Sequence, residues 1–543
     1  MSTTADDPGR ATGPGRSIAR LTTALTAFVG RTLRGPVNRP VLIRSFAEFQ
    51  HVYGGLWQPS LLGYAVEQFF DNGGSEALIV RVVNGARSAT LDLRAGEDRL
   101  VLRAMHPGTR EFLRVCVDYD NIPADSATDF NLTVQRVRIQ GTEKVEDQEI
   151  FLNLSTSPEG AGYLPRAIAG SALVELAGSV PAVRPERTLD PASGIATGYV
   201  HSNPDGDDGA PLTDYDLIGS ATGRTGLFAL EHAQYFNLLC IPPLARDQDV
   251  GPSALLVAAR YCRERRALLI VDPPSQWHTA GDALRSMREW NLATEDALMY
   301  FPRILAHDKL RGRFESFAPC GAVAGMLSRA DEAWPPWNAA EGENIVLRPG
   351  YRPSCMVAED CRARLASFGV NAIQSVRPAG GRTHPKLRTL AAGAARAADW
   401  KFLSARRLAL FIVNSIAQGT RWVVMAQSRL ELASLVESQV CAFFERLHEA
   451  GAFPNRDAED AYFVICDRRV NSESAAIPWR FRLLIGFAAV RIGEFHAYRI
   501  THSAEGSEVS PVTLNRLASM HHPSAESAAP TTDDRFRRPR PDA

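Results

Sequence analysis

The chain has 543 residues, is 45% hydrophobic and carries a formal net charge of −1. That is enough apolar material for several cores, and the charge balance shows no basic footprint for nucleic acid. Eight cysteines, at 116, 240, 262, 320, 355, 361, 441 and 466, show no C-x-x-C spacing. They are expected as buried, reduced thiols in a protein made and folded in the cytoplasm. The first 20 residues are polar and rich in Gly and Pro, so no secretory signal is expected. The apolar runs read as too short for the ~20 residues of a membrane span.

In chain order, 1–16 lacks apolar periodicity and is expected to be disordered. A strand is expected over 22–30, a turn at Gly35-Pro36 and a short strand over 41–43. Helices follow over 46–53 and 61–72, the second stopped by Gly73-Gly74, and then an apolar strand over 77–83. This β-α-α-β block is too small for a full core and is expected to complete a C-terminal unit.

From about 88 to 220 the pattern changes to short alternating runs: 91–93, 100–104, 112–117, 131–139 and 149–154. Turn residues separate them, which predicts a mostly antiparallel β insertion. The loop over 181–209 ends in an acidic run, 203–209. It lacks the D-x-D-x-D-G register and terminal glutamate of a calcium loop, so it reads as a solvated loop. From 215, strands at 238–241, 267–271 and 297–301 alternate with helices at 252–265 and 280–289. Such alternation predicts crossover connections and a sheet covered on both faces. Another helix, 357–368, ends at Gly369, and Gly380-Gly381 marks entry to the last segment.

That last segment contains WKFLSARRLALFIVNSIAQGTRWVVMAQS, 400–428. Asp399 is placed to cap a helix carrying Phe402, Ala405, Ala409, Ile412 and Ile416 at helical spacing. The run 408–413 is apolar all round, so the helix should be buried, and Gly419 supplies the stop. A short strand is expected over 422–425. Ser428 and Glu431 form a capping box for a second helix, which carries Leu432, Leu435, Val436, Val440, Phe443 and Leu447 on one stripe. Strands are expected over 461–466, 479–487 and 494–500. The remainder, 503–543, reads as a disordered tail with a short helix possible near 514–520.

Catalytic signatures are missing from the sequence: it has no GxxxxGK[ST], strand-linked GxGxxG, HExxH or GxSxG. The run from Gly219 to Gly226 imitates a phosphate loop but lacks its lysine, and reads as a surface turn. Asp272 could pass for a Walker-B carboxylate, yet Pro273-Pro274 argue for a rigid strand exit. His521-His522 has no clustered partner for a metal, and Trp334, Trp337, Trp400 and Trp479 read as core or interface anchors.

The stretch 400–428 resembles the C-terminal domain of contractile-tail sheath proteins, which build the outer cylinder of contractile phage tails, tailocins and extracellular injection systems. The resemblance rests on the W-K-F start, the Arg406-Arg407-Leu408 helix, Ser415-Ile416-x-x-Gly419-Thr420 and Trp422-Val423-Val424. It continues through Gly451-Ala452, 461–466 with Asp467, Asn471, Gly486, Val490-Arg491, Glu494-Phe495 and Arg499-Ile500. Earlier matches are 26–30, Gly35-Pro36-Val37-Asn38, 46–54, 69–74, Val271-Asp272-Pro273-Pro274 and Tyr300-Phe301-Pro302-Arg303. They run in order over most of 18–501.

The resemblance implies a multidomain α/β (α+β) chain. An inner sheath domain would be built from both ends, 18–85 and 380–502, with a β-rich outer domain, 86–215, and an α/β middle domain, 216–379, inserted. Segments 1–17 and 503–543 would be disordered. It implies a non-enzymatic subunit without cofactor or metal. Its partners would be further copies in hexameric rings stacked helically, an inner tube protein, and baseplate and terminator or cap proteins. Nucleic acid and membrane insertion are not expected, and assembly would take place in the bacterial cytoplasm. A strand arm anchored by Phe495, Tyr498 and Ile500 would join a neighbour's sheet. The helix bearing Arg429, Glu431, Glu437, Glu445, Arg446 and Glu449 would face the tube. Two alternatives stand beside this reading. One is a sheath paralogue acting as baseplate or cap adaptor, since Asp7-Pro8-Gly9-Arg10 replaces the usual P-G-V-Y-like arm. The other is a nucleotide-binding α/β enzyme.

Overall fold

The computed structural model describes residues 17–140, 142–188, 198–339, 345–374, 386–393, 399–425, 429–467, 469–471, 480–492 and 494–513. The chain divides into two compact units, Thr22–Leu410 and Met1–Leu21 with Phe411–Ala543.

The larger unit begins with β1 (Thr26–Gly30), β2 (Val41–Ile43), α1 (Phe46–Tyr53), α2 (Leu62–Asp71) and β3 (Ala77–Arg81). The inserted strands are β4 (Thr90–Ala95), β5 (Asp98–Ala104), β6 (Leu113–Asp118), β7 (Asp129–Gln140), β8 (Thr142–Ser155), β9 (Val174–Leu176) and β10 (Val200–His201). Then come β11 (Leu238–Cys240), α3 (Pro252–Arg265), β12 (Leu268–Val271), β13 (Ala297–Phe301), β14 (Ile304–Asp308) and β15 (Arg313–Phe317). The unit closes with α4 (Cys320–Ala333), β16 (Arg352–Pro353) and β17 (Val370–Ala372).

Seven strands form one sheet in the order β17-β13-β12-β11-β1-β3-β2. All neighbours are parallel except β2 with β3. Parallel strands need crossovers, and the helices that make them cover both faces. The strands show this residue by residue. Phe28, Ile79, Leu238, Ile270 and Tyr300 enter the core under α2 and α4, while Val29, Val80, Leu239, Leu269 and Met299 enter the core under α3. Strands apolar on both faces lose the period-2 signal, which is why they read as continuous apolar runs.

The insertion is antiparallel, with sheets β10-β6-β7-β8 and β4-β5-β9 enclosing their own core of Leu91, Leu100, Val115, Phe130, Val134 and Leu154. The acidic loop 203–209 is tied down at both ends. Asp205 accepts from Thr90 N and Oγ1, and Asp208 from Thr109 N and Oγ1.

The N-terminal block was expected to complete the C-terminal unit. Instead β1 and β3 lie inside the seven-stranded sheet, paired to each other and to β11. Periodicity identifies a strand but does not name its partner. Only residues up to Leu21 fall in the unit with 411–543, and the boundary lies within α5 (Leu403–Gly419) rather than near 380.

The smaller unit continues with α6 (Arg429–Glu449), β18 (Tyr462–Ile465), β19 (Phe481–Phe487), β20 (His496–Ser503) and β21 (Gly506–Val512). Its sheet runs β18-β19-β20-β21, antiparallel throughout. Phe444 of α6 stacks on Tyr462 of β18 at 4.7 Å. Two expectations are corrected here. The strand over 422–425 is part of a 3₁₀ helix, Arg421–Met425. Residues 506–512, read as disordered tail, form a strand. The segment Leu403–Met425 has the length and apolar content of a membrane span, contrary to the reading of short apolar runs. Leu408, Ile412 and Ile416 are nevertheless buried within the protein, as in a core helix. The segments 1–16 and 514–543, and the Ser428 end of the capping box, lie outside the described residues.

Candidate functional site

The residues carrying the resemblance hold backbone and buried charge. On α5, Arg406 reaches Asp296 and Arg407 reaches Asp331, with Arg407 also donating to Thr23 O. Adjacent helical residues point about 100° apart, so one Arg-Arg pair meets two separate acids. Asn38, at φ 52°, accepts from Gly226 N at 2.9 Å. That contact fixes the turn opened by Gly219, whose Ser220 N is held by Thr225 Oγ1 at 2.9 Å. Asn471 pairs with Arg482 like a short strand, accepting from its N–H at 2.8 Å and donating to its carbonyl at 2.7 Å.

Asp272 leaves the C-terminal end of β12, where α/β enzymes place their chemistry. Its Oδ1 accepts from Cys320 N at 2.8 Å, at the start of α4. Burial pushes its pKa up to about 6, opposed by the Cys320 hydrogen bonds and by Arg303. It caps a helix and braces the strand exit. Among the described residues, no group of three or more His, Cys, Asp or Glu side chains could hold a metal ion. All eight cysteines are free thiols; five are buried, and burial raises the pKa of Cys262 and Cys320 well above the usual thiol range.

The expected arm lies in β20. Phe495 precedes it and meets Phe463 at 5.4 Å, Tyr498 stacks on Phe487 at 5.7 Å, and Ile500 is fully buried. Tyr498 is registered with Ile485 on one side and Pro511 on the other. β20 is thus an inner strand of this chain's own sheet, and its backbone is not a free arm. The sheet ends instead at β18 and at β21, and β21 carries Pro511, a residue suited to an edge strand. The sequence missed this because GSEVSPV is held by pairing with β20 rather than by burial.

Helix α6 buries Val436, Val440, Phe443 and Leu447 as its periodicity predicts. Its opposite side presents Glu445, Arg446 and Glu449 as exposed residues, with Glu437 half-buried. Arg446 also donates to Ile18 O at 3.0 Å, so this charge is partly committed inside the unit. Arg429 and Glu431 lie in the first turn of α6, and their side chains are outside the described set.

No protein-family model matches the sequence, and a search of curated proteins found no match. Solved structures do match. A sheath tail protein from Listeria innocua superposes with a TM-score of 0.56 at 12% identity, covering 91% of this chain and 97% of its own. A sheath tail protein from Desulfitobacterium hafniense gives 0.50 at 10% identity, covering 93% and 99%. The chain therefore has the multidomain α/β fold of sheath tail proteins over nearly its whole length.

Proposed function

We propose that this protein is the structural subunit of a contractile tail sheath, polymerising around an inner tube and contracting to drive that tube through a target envelope. The observation that carries the reading is the fold likeness, which covers 91% of this chain and 97% of the sheath tail protein it matches. The fold match and the ordered sequence motifs point the same way. The polar motif residues serve the scaffold, which suits an assembly protein better than a nucleotide-binding enzyme.

The mechanism follows from sheet edges. An unpaired strand edge offers backbone donors and acceptors to another chain. β18 and β21 are the end strands of the C-terminal sheet, and strand addition there would link copies into a mesh that persists through contraction. Head-to-tail contacts of this kind propagate rather than close. The extended state is then a kinetic trap, and contraction buries further surface between subunits without nucleotide. The face of α6 bearing Glu437, Glu445 and Glu449 is assigned to the tube.

Electron microscopy of the purified protein tests this. Hollow tubes or stacked rings support the sheath; a monodisperse small particle stabilised by nucleotide supports the enzyme. A baseplate or cap adaptor, suggested by the replaced N-terminal arm, would give rings that terminate rather than elongate.

A further inference from the structure

A cavity of about 270 Å³ opens between the α1–α2 connection and the β insertion. That is roughly nine water volumes at ~30 Å³ each. Its apolar walls include Trp57, Phe112 and Val137, and its charged groups are Arg34, Arg110 and Arg138. A space lined by both kinds of side chain suits neither bulk water alone nor a wholly apolar group.

The charge is unbalanced. One carboxylate, Glu146, serves both Arg34, at 2.8 Å, and Arg138, at 2.6 Å. Arg110 lies over the Phe112 ring at 6.0 Å and has no ion-pair partner among the described residues. Nearby, Arg136 is shared between Glu111 and Asp147, so four guanidiniums meet three carboxylates and one positive charge is left over around the cavity. Arg34 is 5% exposed. One of its terminal nitrogens donates to His51 O, but its Nε finds no acceptor in the protein. A buried N–H without a partner carries a desolvation penalty that a ligand oxygen would relieve.

The walls are pre-formed. Gly54 stands at φ 87° as the left-handed cap of α1, and a Cβ there would meet Leu33 Cδ2 at 2.9 Å. Arg31 covers the Trp57 ring at 4.7 Å while donating to the carbonyls of Asp208 and Gly209, so the indole is held in place.

We propose that this cavity binds an organic carboxylate carried on an aromatic body. The carboxylate would lie among Arg34, Arg110 and Arg138, where planar guanidiniums match it in a bidentate manner, and the ring against Trp57 and Phe112. The same chemistry is offered by a free aromatic acid and by a polypeptide with an acidic residue beside an aromatic one.

The test is calorimetric titration of the full chain with indole-3-acetate, its neutral amide, and the peptide acetyl-Trp-Glu-amide. The acid or the peptide should bind at least about tenfold tighter than the neutral amide. Arg110 is exposed, so Arg110→Gln should leave the unfolding temperature unchanged while weakening the anion about tenfold. Arg110→Lys should restore part of the loss. Tighter binding of the peptide assigns the site to a protein partner; tighter binding of the free acid assigns it to a small molecule. Neither anion binding tighter than the amide, no effect of Arg110→Gln, or no binding of either anion up to ~10 mM overturns the proposal.

Discussion

Arg406 of α5 places its guanidinium against Asp296, a carboxylate with no solvent exposure, at the residue before β13. Arg263 reaches the other oxygen of Asp296 at 2.8 Å. The next helical residue, Arg407, meets Asp331 near the end of α4. One turn of α5 is thereby fixed to two other elements of the larger unit by buried charge.

Breaking one of these pairs leaves its partner charged and buried. Asp296→Asn should destabilise the larger unit by about 3–5 kcal/mol, the usual cost of stranding a buried ion. The double replacement Asp296→Leu with Arg406→Leu should recover a large part of that loss, because neither charge remains. Urea denaturation of the two variants decides between this and a merely local contact. A single variant as stable as the parent protein would show that Arg406 finds water instead.

Helices α2 and α4 meet with almost no side chain between them at two points. A Cβ on Gly321 would stand 2.0 Å from Ala65 O, and one on Gly325 would stand 2.3 Å from Phe69 O. Both neighbours are backbone and cannot swing aside. Gly325→Ala should therefore cost about 1–3 kcal/mol through forced separation of the helices. Gly170→Ala, where nothing lies within 4 Å, is the control and should change stability by less than about 0.5 kcal/mol. Thermal unfolding of both variants separates steric conflict from a general glycine effect.

His502 is buried between Thr420, 2.8 Å from its Nε2, and Ser507, 2.7 Å from its Nδ1. Thr420 gives its own proton to Ile416 O, so Nε2 carries the hydrogen that bonds to Thr420 Oγ1. Burial, with Arg421 nearby, lowers its pKa to about 4. The unfolded chain takes up this proton near 6.5 and the folded chain only near 4. Between those values the unfolded state binds more protons, and stability falls as the pH drops. The full effect is roughly 3 kcal/mol, developed between pH ~6.5 and ~4 and absent above that window. His502→Gln should flatten the pH dependence of the unfolding midpoint there. An unchanged slope would assign acid sensitivity to other groups.

The sequence carried local structure well and pairing poorly. Bounds for α1, α3 and β13 agree with the apolar periodicity and apolar runs of the sequence. Trp422-Val423-Val424-Met425 was misread because four apolar residues in a row fit a strand or a tight helix equally; only Val423 of them is buried. The strand β21 was invisible because its residues are half-exposed and polar. The parallel partnership of β1 with β11 joins residues more than 200 positions apart, and no local pattern encodes it. The same holds for the cavity beside the α1–α2 connection, whose Trp57, Arg110 and Arg138 come from separate segments that no local pattern brings together.

The outer face of α6 gives the sharpest test of the assigned tube contact. Glu445 and Glu449 are exposed at i and i+4, and Glu437 is half-buried two turns earlier. Arg446 is tied to Ile18 O, so the charge free to meet a partner is mainly acidic. Exposed ion pairs are worth only about 0–1 kcal/mol each, which would let such contacts part singly during contraction. Repeated around every ring, they would still fix the register of sheath on tube, and the tube should present lysine or arginine opposite them. Glu445→Lys with Glu449→Lys should leave the unfolding temperature within a few degrees of the parent, because both side chains already stand in solvent. Adding Glu437→Lys extends the reversal along the same face. Co-expressed with the tube protein, the reversed subunits should form empty or already contracted cylinders, with little tube protein co-purifying. Raising the salt should weaken tube retention by the parent sheath, since exposed charges are screened within about 8 Å at physiological ionic strength. Filled, extended particles assembled from the triple variant at physiological salt would remove α6 from the tube interface and leave its charges as an ordinary solvated helix face.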